Sequence, residues 1–336
     1  METIVLDAGD TEHIELCAGV LRHGGLVAFP TETVYGLGAD ALSEMAVAGI
    51  YATKGRQEDN PLIVHVASLS DAYMLVDDIP DTFEKLAGAF WPGPLTLVMQ
   101  KSGRVPGNVT AGLETVAVRM PKHPAALALI RTSGCPIAAP SANPSGRPSP
   151  TDAAHVLEDL RGRIPYILDG GRCIVGLEST VLDITGSVPR ILRPGGVTYD
   201  ELKKVLGAVE AGGTDEAEAP RSPGMKYRHY APTAPLTAVL GPPQRSAEYI
   251  MQRMGAGDAD LMFDDYGPDD PRVVTYGSSR DYATQAAGLF DALRRLDGMG
   301  SAAIFAQTPY EVGLGCAVAN RIKKAAGSSI VDLSGN

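Results

Sequence analysis

Phe29-Pro30-Thr31-Glu32-Thr33-Val34-Tyr35-Gly36-Leu37-Gly38 follows the apolar residues 26–29 and precedes Lys54-Gly55-Arg56. The apolar run reads as a strand and the hydroxyl-bearing residues after it as a turn. The glycines read as bare backbone, and residues 43–53 as a helix ending in two cations. Hydroxyls and bare backbone hold polar ligand groups, and a Lys/Arg pair suits phosphate or carboxylate. Few purely structural loops need that mixture, so the stretch is expected to bind a small, polar, anionic molecule.

Outward from this point, short β-branched runs alternate with helical stretches over residues 9–207. Strands are expected at 62–66, 95–100, 115–119, 137–139, 166–168, 179–183 and 190–192, and helices at 81–90, 124–132, 151–160 and 199–206. Ser43 and Asp81 suit N-caps and Pro124 a first helical turn. Strands outnumber helices, which predicts an α/β fold with a twisted open mixed sheet rather than a doubly wound one. Residues 208–234 read as a linker. It opens small and acidic and then turns basic as Arg221-Ser222-Pro223-Gly224-Met225-Lys226-Tyr227-Arg228-His229-Tyr230, so it is expected to fold back over an anionic ligand. Residues 235–336 form a second, simpler strand–helix alternation, read as a small parallel, Rossmann-like domain.

Composition narrows the function. A chain of 336 residues is longer than most single cores, consistent with two domains. A formal net charge of -11 and an aromatic content of 6% argue against a surface that coats nucleic acid or stacks many bases. No uncharged apolar stretch reaches the ~18 residues of a membrane span, and the N-terminus lacks a basic leader, so a cytoplasmic protein is expected. Cys17, Cys135, Cys173 and Cys316 are scattered and read as small buried hydrophobes. His65, in the run Leu62-Ile63-Val64-His65-Val66, has no partner at ligand spacing and is rejected as a zinc ligand; no side chain is assigned to a metal. The acidic run around Tyr266-Gly267-Pro268 misses the calcium-loop spacing and reads as a solvated loop.

Gly36-Leu37-Gly38-Ala39-Asp40-Ala41 matches GxGxxA, but six residues separate the strand end from its turn, so a dinucleotide fingerprint is discounted. There is no GxxxxGK[ST] loop and no GxSxG elbow. Cations and hydroxyls nevertheless recur at strand ends and in loops: Lys54-Gly55-Arg56, Arg119, Ser141-Ala142-Asn143, Glu178-Ser179-Thr180 and Arg193-Pro194-Gly195. Each alone is an ordinary solvated charge or turn. Five in one domain of an acidic protein point to a shared anion site.

These residues also carry a resemblance. Thr31-Glu32-Thr33-Val34-Tyr35-Gly36-Leu37, Lys54-Gly55-Arg56 with Asn60-Pro61-Leu62, Pro140-Ser141-Ala142-Asn143, Ser179-Thr180-Val181 and Leu192-Arg193-Pro194-Gly195 resemble the motif set of the YrdC-like family. The segment from Ser222 to Tyr230 and the tail Gly313-Leu314-Gly315-Cys316-Ala317-Val318-Ala319-Asn320-Arg321 resemble that family's longer, two-domain synthases. The resemblance implies a nucleotidyltransferase reaction. L-threonine, CO2 or bicarbonate and ATP, with Mg2+, give threonylcarbamoyl-AMP and pyrophosphate, and proteins that threonylcarbamoylate the tRNA adenosine beside the anticodon then use the product. It also implies a large concave site that the linker can cover.

Carried over residue by residue, the resemblance implies a threonine set of Thr33, His65, Arg119 and Ser179, with Tyr35 packed nearby and Arg119 pairing the substrate carboxylate. Ala139 stands where many relatives carry a hydroxyl, so any contact there must use backbone atoms. The implied nucleotide set is Lys54, Arg56, Asn60, Thr115, Ser141, Asn143, Ser149, Arg193 and Tyr230, with Lys54 and Arg56 expected to carry the chemistry. Without the resemblance, His65 in its apolar strand reads as a core histidine. Direct RNA binding is the competing reading, disfavoured by the net charge. Carbamoyl transfer as in hydrogenase maturation is another, disfavoured by the missing paired-cysteine motifs.

Overall fold

The computed structural model describes residues 1–212 and 230–335. Most of the expected linker, including residues 221–229 of its basic stretch, lies outside the described residues. The chain divides into two compact units. The first comprises Met1–Ser145, Pro150–Cys173 and the described residues of Glu178–Lys226; the second takes Gly146–Ser149, Ile174–Leu177 and the described residues from Tyr230 onward.

Along the first unit run β1 (Ile4–Asp7), α1 (Thr11–Arg22), β2 (Val27–Phe29), β3 (Gly36–Asp40), α2 (Glu44–Lys54), β4 (Ile63–His65), α3 (Leu69–Tyr73) and α4 (Asp81–Phe90). There follow β5 (Leu95–Gln100), β6 (Thr115–Arg119), α5 (Pro124–Ser133), β7 (Ile137–Ala138), α6 (Ala153–Leu160), β8 (Tyr166–Asp169), β9 (Thr180–Asp183), β10 (Arg190–Arg193), α7 (Tyr199–Leu206) and β11 (Glu210–Ala211). All eleven strands join one sheet, ordered β1-β8-β2-β3-β7-β4-β6-β5-β9-β10-β11. It mixes parallel pairs such as β4–β6 and β5–β9 with antiparallel pairs such as β5–β6 and β9–β10, as the sequence predicts.

The helix ends follow local chemistry. The Ser43 side chain accepts from Ala46 N–H at the start of α2, and Gly55 closes that helix in the left-handed conformation (φ 60). Pro124 occupies the first turn of α5. Asp81, expected as a cap, is instead the first residue of α4, and Pro80 is the cap.

The glycine-rich stretch, read from sequence as bare backbone with no strand expected, forms one. Gly36–Asp40 is a strand that pairs antiparallel with β2, matching Phe29 to Gly36 and Val27 to Gly38. Glycine is needed for space: a Cβ on Gly38 would lie 2.7 Å from Ile137 and 2.8 Å from the Phe29 ring. The GxGxxA string therefore lies in a strand, not at a strand-to-helix turn. Residues 210–211, read as linker, pair with β10.

Strand side chains alternate between two faces. Leu97, Met99, Val116, Val118 and Val64 join the larger core, packed against α2, α4, α6 and α7. On the opposite face, Val27, Phe29, Ile137 and Ala139 pack under α1 and α5. Beyond those helices that same face carries a small apolar group, Ile63, Val98, Ala117 and Val181. By the two-residue period, Thr115 and Arg119 share the face of Ala117, His65 that of Ile63, and Thr96 that of Val98.

In the second unit, β12 (Leu236–Leu240), α8 (Pro243–Arg253), β13 (Ala259–Met262), β14 (Val273–Thr275), α9 (Tyr282–Gly298), β15 (Ile304–Gln307), α10 (Gly315–Ala326) and β16 (Ile330–Asp332) build a five-stranded sheet. It is parallel throughout, in the order β14-β13-β15-β12-β16. The expected small parallel α/β domain is present. Its strand order is not the 3-2-1-4-5 sequence of a Rossmann sheet, so that narrower label does not apply. Asp265, expected in a solvated loop, accepts from Ser279 N–H (2.9 Å) and both serine hydroxyls of Ser278-Ser279, and so clasps the loop before α9. Among the described residues no helix is long and apolar enough to cross a membrane.

Candidate active site

The apolar group Ile63, Val98, Ala117 and Val181 is a floor with polar side chains around it. At one end of the paired strands β4 and β6, His65 stands beside Arg119 in register. Arg119 is 3% exposed, and its fork is fixed on three sides. Its Nε donates to Gly93 O (3.2 Å), its Nη1 donates to Thr33 Oγ1 (2.8 Å), and its Nη2 lies 2.7 Å from Glu32 Oε1. The last contact is an ion pair by distance, although its angles do not make a hydrogen bond. Glu32 is held in turn by Lys122 N–H at 2.9 Å. Thr31 braces Thr33 through a 2.8 Å hydroxyl contact and donates to Val34 O. The Thr-Glu-Thr turn is thus built around the guanidinium.

His65 is buried and meets the Phe29 ring edge-on at 5.9 Å. Burial first, and the Arg119 charge second, push its pKa down to about 3. It is a neutral imidazole at physiological pH. Because the unfolded chain takes up a proton near pH 6.5 and the folded one does not, His65 contributes a loss of stability as pH falls from about 6.5 toward 3. The slope is about 1.4 kcal/mol per pH unit for one group. The melting temperature is therefore expected to fall with acidification through this window, and His65→Gln to flatten that part of the curve. Superimposable acid limbs for both proteins would contradict the assignment.

A second group stands on the neighbouring strands. Ser179 precedes β9, and its Oγ lies 2.7 Å from Thr96 Oγ1. Arg193 sits at the β10 irregularity between Ile191 and Arg193, where the register shifts. It turns inward, 4% exposed, and donates from Nη2 to Ser179 O (3.0 Å) and Oγ (3.3 Å) and from Nε to Ser179 O (3.2 Å). The two groups are joined by backbone: Arg119 holds Gly93 O, and Thr180 N–H donates to Pro94 O at 3.0 Å.

Gly195 is essential to this join. A Cβ there would lie 2.3 Å from Ser179 C and Thr180 N. Gly195→Ala must push Arg193-Pro194 away from Ser179, costing about 1–3 kcal/mol as an overpacked site. We expect a lower melting temperature together with at least a tenfold loss of turnover; wild-type values for both would contradict it.

A third group forms where α2 ends. Lys54 is 4% exposed, and its Nζ donates to the carbonyls of Ser141 and Asn143. Burial, with Arg56 second, lowers its pKa well below the usual lysine value. Ser141 bridges Gly36, and Ala142 N–H donates to Tyr35 O at 2.8 Å, tying the Ser-Ala-Asn turn to the Thr-Glu-Thr strand end. Arg56 donates to Asn60 O (3.1 Å) and Pro61 O (3.0 Å), shaping the loop before β4. Asn60 Oδ1 is buried with no hydrogen-bond partner among the described residues, an acceptor that a ligand N–H would satisfy. Thr115 opens β6 at the end away from Arg119, on the same face and ~13 Å along the strand at ~3.3 Å per residue.

The sequence-predicted residues therefore fall into place unevenly. Thr33, His65 and Arg119 stand together, as do Ser179 and Arg193, and as do Lys54, Ser141 and Asn143. Ala139 packs with Phe29 and Ile137 on the face that carries the floor, and its N–H donates to Ile63 O (2.9 Å), which leaves its own amide committed. Tyr35 is turned to structural work: its hydroxyl donates to Gly171 O (2.7 Å) and accepts from Gly170 N–H (3.2 Å). Ser149 and Tyr230 belong to the second unit. Glu32 and Thr96 escaped the sequence reading. The signals were an acid inside a cationic site and a polar residue within the apolar run Leu95-Thr96-Leu97-Val98.

A family model described as "Telomere recombination" (Sua5/YciO/YrdC) matches residues 19–195, and one described as "Threonylcarbamoyl-AMP synthase, C-terminal domain" matches residues 197–327. The chain is 48% identical to threonylcarbamoyl-AMP synthase of Bacillus subtilis, covering 95% of this chain and 94% of the relative. It is 49% identical to threonylcarbamoyl-AMP synthase of Pyrococcus abyssi, covering 95% of each. Among solved structures, that of P. abyssi Sua5 complexed with L-threonine matches with a TM-score of 0.94 and 46% identity, over 99% of this chain and 100% of that one.

Proposed function

The chain belongs to the Sua5/YciO/YrdC family in its two-domain, threonylcarbamoyl-AMP synthase form, and we propose that it makes L-threonylcarbamoyladenylate and pyrophosphate from L-threonine, CO2 or bicarbonate and ATP. The observation that carries the reading is the single sheet face on which Arg119 with Thr33 and His65, and Arg193 with Ser179, surround one apolar floor. Lys54 and the Ser-Ala-Asn turn are tied to the same strand end.

The chemistry suits these groups. The neutral threonine amine attacks the carbon of CO2, forming a carbamate and releasing a proton. A carbamate oxygen then attacks the α-phosphorus of ATP, and the bond to the β-phosphate bridging oxygen breaks to release pyrophosphate. Mg2+ enters as part of the ATP substrate. No covalent nucleophile on the protein is required, in keeping with the absence of a serine elbow. Negative charge gathers on phosphate oxygens in the second step, where fixed cations stabilise it most. The remaining Arg119 N–H groups suit the threonine carboxylate, which the planar fork can take bidentately. The neutral His65 can hydrogen-bond the threonine hydroxyl without adding charge. Water kept from the apolar floor would spare the labile carbamate. The product would pass to proteins that threonylcarbamoylate tRNA.

The test incubates the protein with ATP, Mg2+ and bicarbonate while each amino acid is supplied in turn. Pyrophosphate should appear with threonine and be at least about tenfold slower with serine, which lacks one methyl group that an apolar pocket can select. Equal release with all amino acids, or with none, would contradict the assignment.

A further inference from the structure

Two residues of the expected nucleotide set, Ser149 and Tyr230, fall in the second unit, and both are held from one face of α9. Phe290, Arg294 and Asp297 recur at helical spacing and share that face. Tyr230 stacks on Phe290 with ring centroids 5.3 Å apart and 28° between planes, and the Arg321 guanidinium lies 5.7 Å from the same ring. Tyr230 is 5% exposed and holds φ at 65, a conformation that a bulky side chain keeps only when its surroundings determine it.

The segment carrying Ser149 is gripped just as closely. Arg294 Nη2 donates to Pro148 O at 2.7 Å, and Arg147 pairs with Asp297 at 3.1 Å. Asp297 also accepts from Thr233 N–H (2.7 Å), and Ala231 N–H donates to Gly146 O (3.1 Å), so the two segments are laced to each other as well. Gly176 presses on the same helix: a Cβ there would lie 2.5 Å from Ala287 Cα. The tail motif ending at Arg321, which the reaction chemistry leaves unused, supplies the second wall around Tyr230.

We propose that α9 is a positioning helix within the second unit, in which Phe290 sets Tyr230 and Arg294 with Asp297 sets the Ser149 segment for their part in nucleotide binding. The inference rests on the proposed function and on the nucleotide role that the family resemblance implies for Ser149 and Tyr230.

Two double-mutant cycles on the full-length protein test it, Phe290→Leu with Tyr230→Ala and Arg294→Met with Ser149→Ala. Each α9 substitution alone should raise KM for ATP about tenfold, the scale of a mispositioned binding group, and leave KM for threonine within about twofold. In the Tyr230→Ala or Ser149→Ala background the matching α9 substitution should add less than about twofold. A merely structural role would lower both substrates' kinetics together with the melting temperature. An unchanged KM for ATP in both α9 variants, or full additivity, overturns the inference while the nucleotide assignment stands if Tyr230→Ala and Ser149→Ala still raise KM. If those two leave KM unchanged, the assignment and the inference both fall. Arg294→Met keeps the aliphatic stem, so its cycle decides the matter if Phe290→Leu does not fold.

Discussion

Lys54→Met is expected to reduce threonine-dependent pyrophosphate release by at least about a hundredfold, the scale of losing one fixed donor to a developing negative charge. Fold and function should separate in this variant. The side chain is buried, and its Nζ joins the carbonyls of Ser141 and Asn143. Leaving them without a donor costs about 1–3 kcal/mol each. Removing a buried ammonium returns part of that, since burial already works against its charge. The methionine keeps the stem's packing. The melting temperature should therefore fall by only about 2–8 °C, taking ~2–4 °C per kcal/mol for a unit of this size, while turnover collapses. Pyrophosphate release and thermal unfolding on the same preparation check both halves. Turnover within a factor of three of wild type would remove Lys54 from the reaction.

Arg119→Leu should have the largest effect on stability. It leaves Glu32, 6% exposed, as an unpaired buried acid, a loss of about 3–5 kcal/mol. It also frees Thr33 Oγ1 and Gly93 O from their donor. The double variant Arg119→Leu/Glu32→Leu removes both charges and should recover most of that stability, because a buried pair replaced by apolar groups is often neutral. Threonine affinity should not recover: we expect a loss of more than about a hundredfold in both variants, since the carboxylate loses its charge-assisted donors. Denaturant unfolding and threonine calorimetry on the pair of variants decide it. A double variant that is both stable and tight for threonine would show that Arg119 serves the fold alone.

Much of this was legible in the chain because local chemistry wrote it. The α2 cap at Ser43, Pro124 opening α5, and the strand runs at residues 95–100 and 115–119 all follow from one stretch of sequence each. Gly36–Asp40 reads only as bare backbone, with no strand expected, because glycine is poor in strand preference. Its strand exists only because Phe29 and Ile137 occupy the space side chains would need. The pairing of Arg119 with Glu32, 87 residues apart in sequence, depends on a strand register that no local pattern states. Ser149 was legible as a site candidate but not its membership of the second unit, which depends on Arg294 and Asp297 far along the chain. Tyr35 lies inside a motif rich in site residues, and the motif does not state that its hydroxyl is spent on the loop after β8.

The central claim is that one face of the large sheet gathers threonine, CO2 and ATP so that a carbamate oxygen meets the α-phosphorus. The most direct measurement supplies 13C-bicarbonate with threonine, ATP and Mg2+ and follows 13C and 31P resonances together. The labelled carbonyl should show coupling through oxygen to an α-phosphorus, with pyrophosphate appearing in equal amount, and only when all three substrates are present. Release of ADP and inorganic phosphate, or an adenylate whose carbonyl carries no label from bicarbonate, would contradict it.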